Sequence, residues 1–306
     1  MAIITPQLLK SLFTGYKTNF QKGLGMAEPQ YNQIATTVPS STASNTYGWL
    51  GQWPGFREWI GDRVIKSMEA HGYQIFNKQF ESSVGVKRTD IEDDNLGIYS
   101  PMFEEMGRAT TAFPDELTFP LLANGFISLC YDGQNFFDED HPVNSQVDGQ
   151  GTDQSVSNII KDPNYKGPTW YVMDTTRAIK PIIFQERKKP KFVAMTKEED
   201  ESVFMRGEYR YGVDLRCNVG FSFWQMAIAV QAEFSTDSLW EAKTKMSEYK
   251  ADGGRPLNLN PNLIVAPAGL EKKITQTLNR ELIQDGNTTV SNELKGAFKT
   301  LISRRL

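Results

Sequence analysis

Histidine and cysteine are scarce: the 306 residues hold two of each, His71 and His141, Cys130 and Cys217. Two cysteines cannot build a disulfide framework, and they suit a reducing compartment. A large charge of one sign is also missing. Lys and Arg total 33 against 37 Asp and Glu, a net charge of −4, which argues against a whole-chain electrostatic grip on nucleic acid. The most apolar uncharged stretch, Cys217–Ala232, covers 16 residues and contains Asn218, Ser222 and Gln225. It is too short and too polar for a membrane span. The first residues, MAIITPQLLK, lack the basic-then-apolar pattern of a secretion signal, so a soluble chain made inside a cell is expected. Catalytic motifs are missing too. There is no GxSxG elbow and no HExxH, and no lysine follows Gly149-Gln150-Gly151 at phosphate-loop spacing.

What is present is a globular composition, 39% hydrophobic and 23% charged. That excludes disordered and collagen-like classes and leaves room for one large domain or two modest ones. Thr5-Pro6 reads as a helix start, and Leu9, Leu12, Phe13, Tyr16 and Phe20 form one apolar stripe ending at Gly23 and Gly25. Pro29–Ser44, polar and rich in Thr and Ser, reads as an extended arm. Tyr47–Gly61 carries Trp49, Trp53 and Trp59 among glycines and a proline. A regular helix is excluded there. The aromatics either close an internal cluster or make a protein–protein contact, where Trp is enriched.

Gln74–Lys87 alternates as a half-buried strand. Asp90 is expected to cap a long helix running to Asn124-Gly125, interrupted at Pro114. Tyr131–Pro168 reads as a long irregular connection, and Trp170–Val230 as strand-rich, with strict alternation from Val213 to Phe223. Further on, Ser235 caps a helix that stops at Asp252-Gly253-Gly254. Asn262–Ala266 is a short buried strand, and a helix from Leu270 through Leu282 ends at Gly286. This last packet looks like a second domain.

Three clusters invite chemistry. Cys130 and His141 allow a Cys–His hydrolase on paper, but Cys130 sits in an apolar run, and a free cysteine is more often an inert core thiol. Asp138, Glu139, Asp140 and His141 offer oxygens to a divalent cation; a solvated acidic loop is the simpler reading. Glu186–Lys191 is the densest basic run and is expected at a solvated hairpin tip. No metal, cofactor or catalytic residue is expected.

Several long segments nevertheless resemble one family. They include SSTASNTYGWLG (Ser40–Gly51), MEAHGYQI (Met68–Ile75), DIEDDNLGIY (Asp90–Tyr99) and CYDGQNFFDEDHP (Cys130–Pro142). RAIKPIIFQERKKP (Arg177–Pro190), GFSFWQMA (Gly220–Ala227), ADGGRPLNLNPNLIVAP (Ala251–Pro267) and SNELKG (Ser291–Gly296) continue the match. Together they are similar to the major head (capsid) subunits of bacteriophage Mu and Mu-like prophages, nearly end to end.

The resemblance implies an α+β chain with the Hong Kong 97-type capsid fold. Residues 1–46 would be an N-terminal arm and 47–80 an extended loop. Residues 81–230 would form a peripheral domain with a spine helix and long strands, and 231–306 mostly an axial domain. It implies self-assembly into hexamers and pentamers of an icosahedral head enclosing double-stranded DNA. Partners would be other copies, a separate scaffolding protein, a portal, and packaged DNA held by weak non-specific contact, with no membrane. Assembly would take place in the bacterial cytoplasm. Trp49, Trp53, Phe56 and Trp59 would pack on a neighbouring subunit, and Lys188 and Lys189 would lie near DNA. The alternatives are a portal or tail component, or the Cys–His hydrolase.

Overall fold

The computed structural model describes residues 3–48, 50, 72–93, 95–146, 150–285 and 288–306. In chain order the first half comprises α1 (Pro6–Leu24), β1 (Ala35–Pro39), β2 (Ser44–Thr46), β3 (Gln74–Phe76), β4 (Lys78–Lys87), α2 (Arg88–Glu92), α3 (Tyr99–Ala123), β5 (His141–Asn144), β6 (Asp153–Val156) and β7 (Ile159–Lys161). The second half comprises β8 (Trp170–Met173), β9 (Ile182–Met195), α4 (Glu201–Arg206), β10 (Glu208–Phe221), β11 (Ala227–Gln231), α5 (Thr236–Ser247), β12 (Leu263–Pro267), α6 (Glu271–Asn279), β13 (Leu282–Asp285), β14 (Thr288–Ser291) and β15 (Lys299–Ser303). Among the described residues no helix is long and apolar enough to cross a membrane.

The long strands form a four-stranded sheet in the order β1-β9-β10-β4. In β10, Tyr209, Tyr211, Val213 and Cys217 turn inward, as a period of two requires when one face is covered. That face receives α3 and α1. Tyr16 stacks on Phe103 at 4.3 Å, and Phe20 on Phe192 at 5.2 Å. Thr5 caps α1 by accepting a hydrogen bond from the Leu8 amide at 3.2 Å, with Pro6 in the first turn. Within the segment expected as an arm, 1–46, α1 closes a core of its own subunit, and β1 adds a parallel edge strand to β9.

The spine departs from expectation in two ways. Asp90 does not cap it; Asp90 sits in the short α2 and accepts a hydrogen bond from the Tyr99 hydroxyl. The break falls between Glu92 and Tyr99, and α3 runs unbroken through Pro114 and Pro120. An interior proline costs a helix about 3 kcal/mol. Burial of Phe103, Met106, Phe119 and Leu122 along α3 offsets it.

The second sheet runs β15-β12-β8-β11-β7. Trp170–Met173, Ala227–Val230 and Leu263–Pro267 are buried continuously, the pattern of strands covered on both faces. Strands from before residue 230 and after it share this sheet. Within 131–168, expected to be irregular, β5 pairs with β6 and β7 pairs with β11. A reciprocal Ser235–Ser238 capping box opens α5. Helix α6 ends at Asn279 instead of Gly286, and exposed Leu282 begins the β13–β14 hairpin. Ile274 and Leu278 already complete its buried face.

Candidate functional site

Trp49, Trp53, Phe56 and Trp59 lie outside the described residues. The base from which that segment leaves is well defined. Strands β2 and β3 pair antiparallel, Ser44 opposite Phe76 and Thr46 opposite Gln74. Beyond them Tyr47 and Leu50 are buried. Buried Gln185 fastens both sides of this base. Its Oε1 accepts from the Tyr47 hydroxyl at 2.8 Å, and its Nε2 donates to the Ile75 carbonyl at 3.0 Å and to Asn77 Oδ1 at 2.9 Å. The Tyr73 hydroxyl accepts from the Phe221 amide at 2.8 Å. Each of these buried polar groups thus has its partner. The sequence signal for Gln185 was a lone amide directly after the apolar run Ile182–Phe184, and its role became legible only with the pairing.

The basic run is placed differently from expectation. Glu186–Lys191 lies within β9, and the hairpin tip is the 196–207 segment with α4. The β9–β10 register slips between Lys191 and Lys188, where Pro190 falls. A proline has no amide to give the ladder and is tolerated at such an irregularity. Lys188 is ion-paired with Asp214 of β10, and Lys189 is exposed. A partly exposed pair of this kind is screened by water and adds little stability.

Cys130 and His141 do meet, but through a third residue that sequence reading overlooked. The Cys130 thiol donates to Asp132 Oδ1 at 2.9 Å, and His141 Nδ1 bonds Asp132 Oδ2 at 2.7 Å. The Gln134 amide also donates to Asp132 Oδ1, at 3.1 Å. His141 is fully buried and stacks on Trp224 at 4.0 Å between ring centres. Burial, then the adjacent Asp132 carboxylate, pushes the Cys130 thiol well above its ordinary pKa. Burial works against the Asp132 charge, but the bonds from His141 and Cys130 outweigh it and hold the carboxyl below its ordinary value. The arrangement holds the thiol protonated, the reverse of the activation a nucleophilic cysteine needs. The acidic loop does not converge on His141. Asp138 instead accepts from the Asn135 and Glu139 amides within its own turn.

Comparison with known proteins gives a consistent answer. The family model described as Mu-like prophage major head subunit gpT matches residues 9–306. The major capsid protein of Escherichia phage Mu is 52% identical over 301 residues, 98% of this chain and 99% of that protein. The Mu-like prophage FluMu major head subunit of Haemophilus influenzae is 49% identical over 297 residues, 96% of each. A chain from the procapsid of bacteriophage JBD30 superposes with a TM-score of 0.86 at 53% identity, over 99% of this chain and 100% of that one. A chain of the JBD30 capsid superposes with a TM-score of 0.78 at 39% identity, over 99% of both. The α+β architecture is accordingly that of Hong Kong 97-type capsid proteins, and this chain belongs to the Mu-like prophage major head subunit family.

Proposed function

We propose that the chain is the wall-forming subunit of a phage head. Copies associate as hexamers and pentamers that close an icosahedral shell around double-stranded DNA. The observation that carries this reading is the end-to-end likeness, in sequence and in fold, to subunits of phage heads and procapsids. Work of this kind needs surfaces more than a reaction centre. Each aromatic buried at a subunit contact contributes about 1–3 kcal/mol. Contacts that weak let wrong pairings dissociate, while a closed shell sums many of them.

Within the subunit, 47–80 acts as the extended loop, anchored by the β2–β3 pair and Gln185. It carries Trp49, Trp53, Phe56 and Trp59 toward a neighbouring copy. The peripheral region (81–230) supplies α3 and most of the four-stranded sheet, to which β1 adds an edge strand from the N-terminal segment, and 231–306 supplies most of the axial region. The five-stranded sheet joins the two, because it draws strands from both sides of residue 230. The role is structural and not catalytic, supported by the suppressed Cys130 thiol. Scaffolding protein and portal act as separate partners, and assembly takes place in the host cytoplasm before the subunit becomes part of the virion.

Electron microscopy of the purified, overexpressed chain tests the reading. Closed shells or hexagonal sheets are expected; rings or tubes would favour a portal or tail component instead.

A further inference from the structure

We propose that Cys130, Asp132 and His141 form a binding site for one thiophilic divalent cation of the zinc class. Each residue offers a ligand atom, and these atoms lie within 4.8 Å of one another. A thiolate, a carboxylate and an imidazole are the donor set of a borderline-soft cation. Magnesium and calcium prefer oxygen alone.

The cluster is built rather than incidental. His141 is fully buried, Cys130 is 4% exposed and the Asp132 side chain 6%. The imidazole is held by its near-parallel stack on Trp224, 9° between planes. Its plane therefore does not have to be ordered when a cation arrives, which removes an entropic cost of binding.

Two protons now stand where the cation would stand. One lies between Cys130 Sγ and Asp132 Oδ1, and, with the imidazole in its Nδ1–H tautomer, the other lies between His141 Nδ1 and Asp132 Oδ2. Metal–ligand lengths of about 2.0–2.3 Å put tetrahedral ligands roughly 3.5 Å apart. The present 2.9 and 2.7 Å contacts thus have to open by under about 1 Å.

Binding balances as follows. The cation forms bonds to Cys130 sulfur, His141 Nδ1 and an Asp132 oxygen. The thiol proton leaves to solvent. The ring proton is given up at Nδ1 and regained at Nε2, so one proton is released per cation and nothing is oxidised or reduced. His141 Nε2 is buried and has no hydrogen-bond partner, so it is free to take that proton without breaking a bond. One coordination position remains for a water. The raised thiol pKa opposes loading in acid and is overcome by direct bonding to the metal, which deprotonates a coordinating thiol.

The consequence is a staple. Cys130 and Asp132 lie in the turn beyond α3, and His141 opens β5. A cation there ties the end of the spine to Trp224 and, through it, to the base of β11.

The full-length chain is expressed in cobalt-supplemented minimal medium, desalted and assayed for bound metal. The expected result is one cobalt per chain with a sulfur-to-cobalt charge-transfer band. The band is lost in Cys130→Ser and kept in Cys217→Ser, and His141→Asn lowers metal content at least about tenfold. A folded wild-type chain that carries no cobalt overturns the proposal, and so does a band that disappears with Cys217 instead. The wild-type stoichiometry decides even where a variant fails to fold.

Discussion

Gly23 of α1 and Gly107 of α3 lie against each other's helix backbone at the crossing of the two helices. A Cβ on Gly23 would fall 1.9 Å from the Glu104 carbonyl oxygen, and one on Gly107 2.1 Å from the Phe20 carbonyl oxygen. Backbone cannot swing aside as a long side chain can, so the helices must separate to admit a methyl group. Gly23→Ala and Gly107→Ala are each expected to cost about 2–4 kcal/mol. Gly15, also in α1, has open space around its Cβ position. Gly15→Ala is therefore expected to stabilise by about 0.5–1 kcal/mol. Urea unfolding of the unassembled subunit checks all three.

Asp115 fixes the chain leaving α1. Its carboxylate is 4% exposed and accepts from the Gln30 amide at 3.0 Å and the Tyr31 amide at 2.7 Å. Asp115→Ala leaves two amides without an acceptor, at a cost of about 1–3 kcal/mol. Limited proteolysis is expected to cut faster between residues 25 and 34, and Asp115→Asn to fall between the two.

Alkaline pH is expected to weaken the subunit. Burial, followed by the charge of Tyr99, pushes Tyr16 up to about 12, and burial likewise raises Tyr73 to about 12. A raised folded-state value contributes stability that is complete below the ordinary phenol value, about 10, and is lost as pH rises toward the folded value. Phenolate absorbance should therefore rise in two stages, the later one coinciding with a falling Tm above about pH 10. The buried Tyr16 hydroxyl has no hydrogen-bond partner. Tyr16→Phe is expected to be neutral or stabilising by up to about 1 kcal/mol and to remove part of the alkaline loss.

Trp53→Ala separates a subunit contact from an internal cluster. Soluble, folded subunit that no longer forms shells is the outcome expected of a contact. Insoluble protein would place Trp53 in the subunit's own core. Electron microscopy and circular dichroism read the two arms.

The Lys188→Ala/Lys189→Ala variant is expected to form normal shells that hold DNA less stably, read as earlier DNA release on heating filled particles. Unchanged release would remove these lysines from any role near DNA. The effect is expected to be small, because Asp214 already neutralises Lys188.

The legible parts of the fold were those set by local pattern. Thr5-Pro6 marked the start of α1, Ser235 that of α5, and the alternation from Val213 predicted β10, because caps and periodicity act within a few residues. The misread parts depended on distant partners. Pro114 looked like a break until the buried residues of α3 outweighed its cost. Residues 131–168 looked irregular because β5, β6 and β7 are only three or four residues long and take their order from pairing.

The buried cluster divides the same way. Cys130 and His141 stood out by rarity, whereas Asp132 was one acid among 37 Asp and Glu. Only the turn after α3 brings its carboxylate between the other two.

By itself the sequence determined the family, the α+β composition and the lack of a recognisable catalytic motif, since these rest on residue identity and short-range order. The tertiary structure decided where α1 goes, which sheet spans residue 230, how Gln185 fastens the base of the loop, and that Asp132 joins a cysteine to a histidine. Those outcomes come from burial and hydrogen-bond partners far apart in the chain, and no local pattern encodes them.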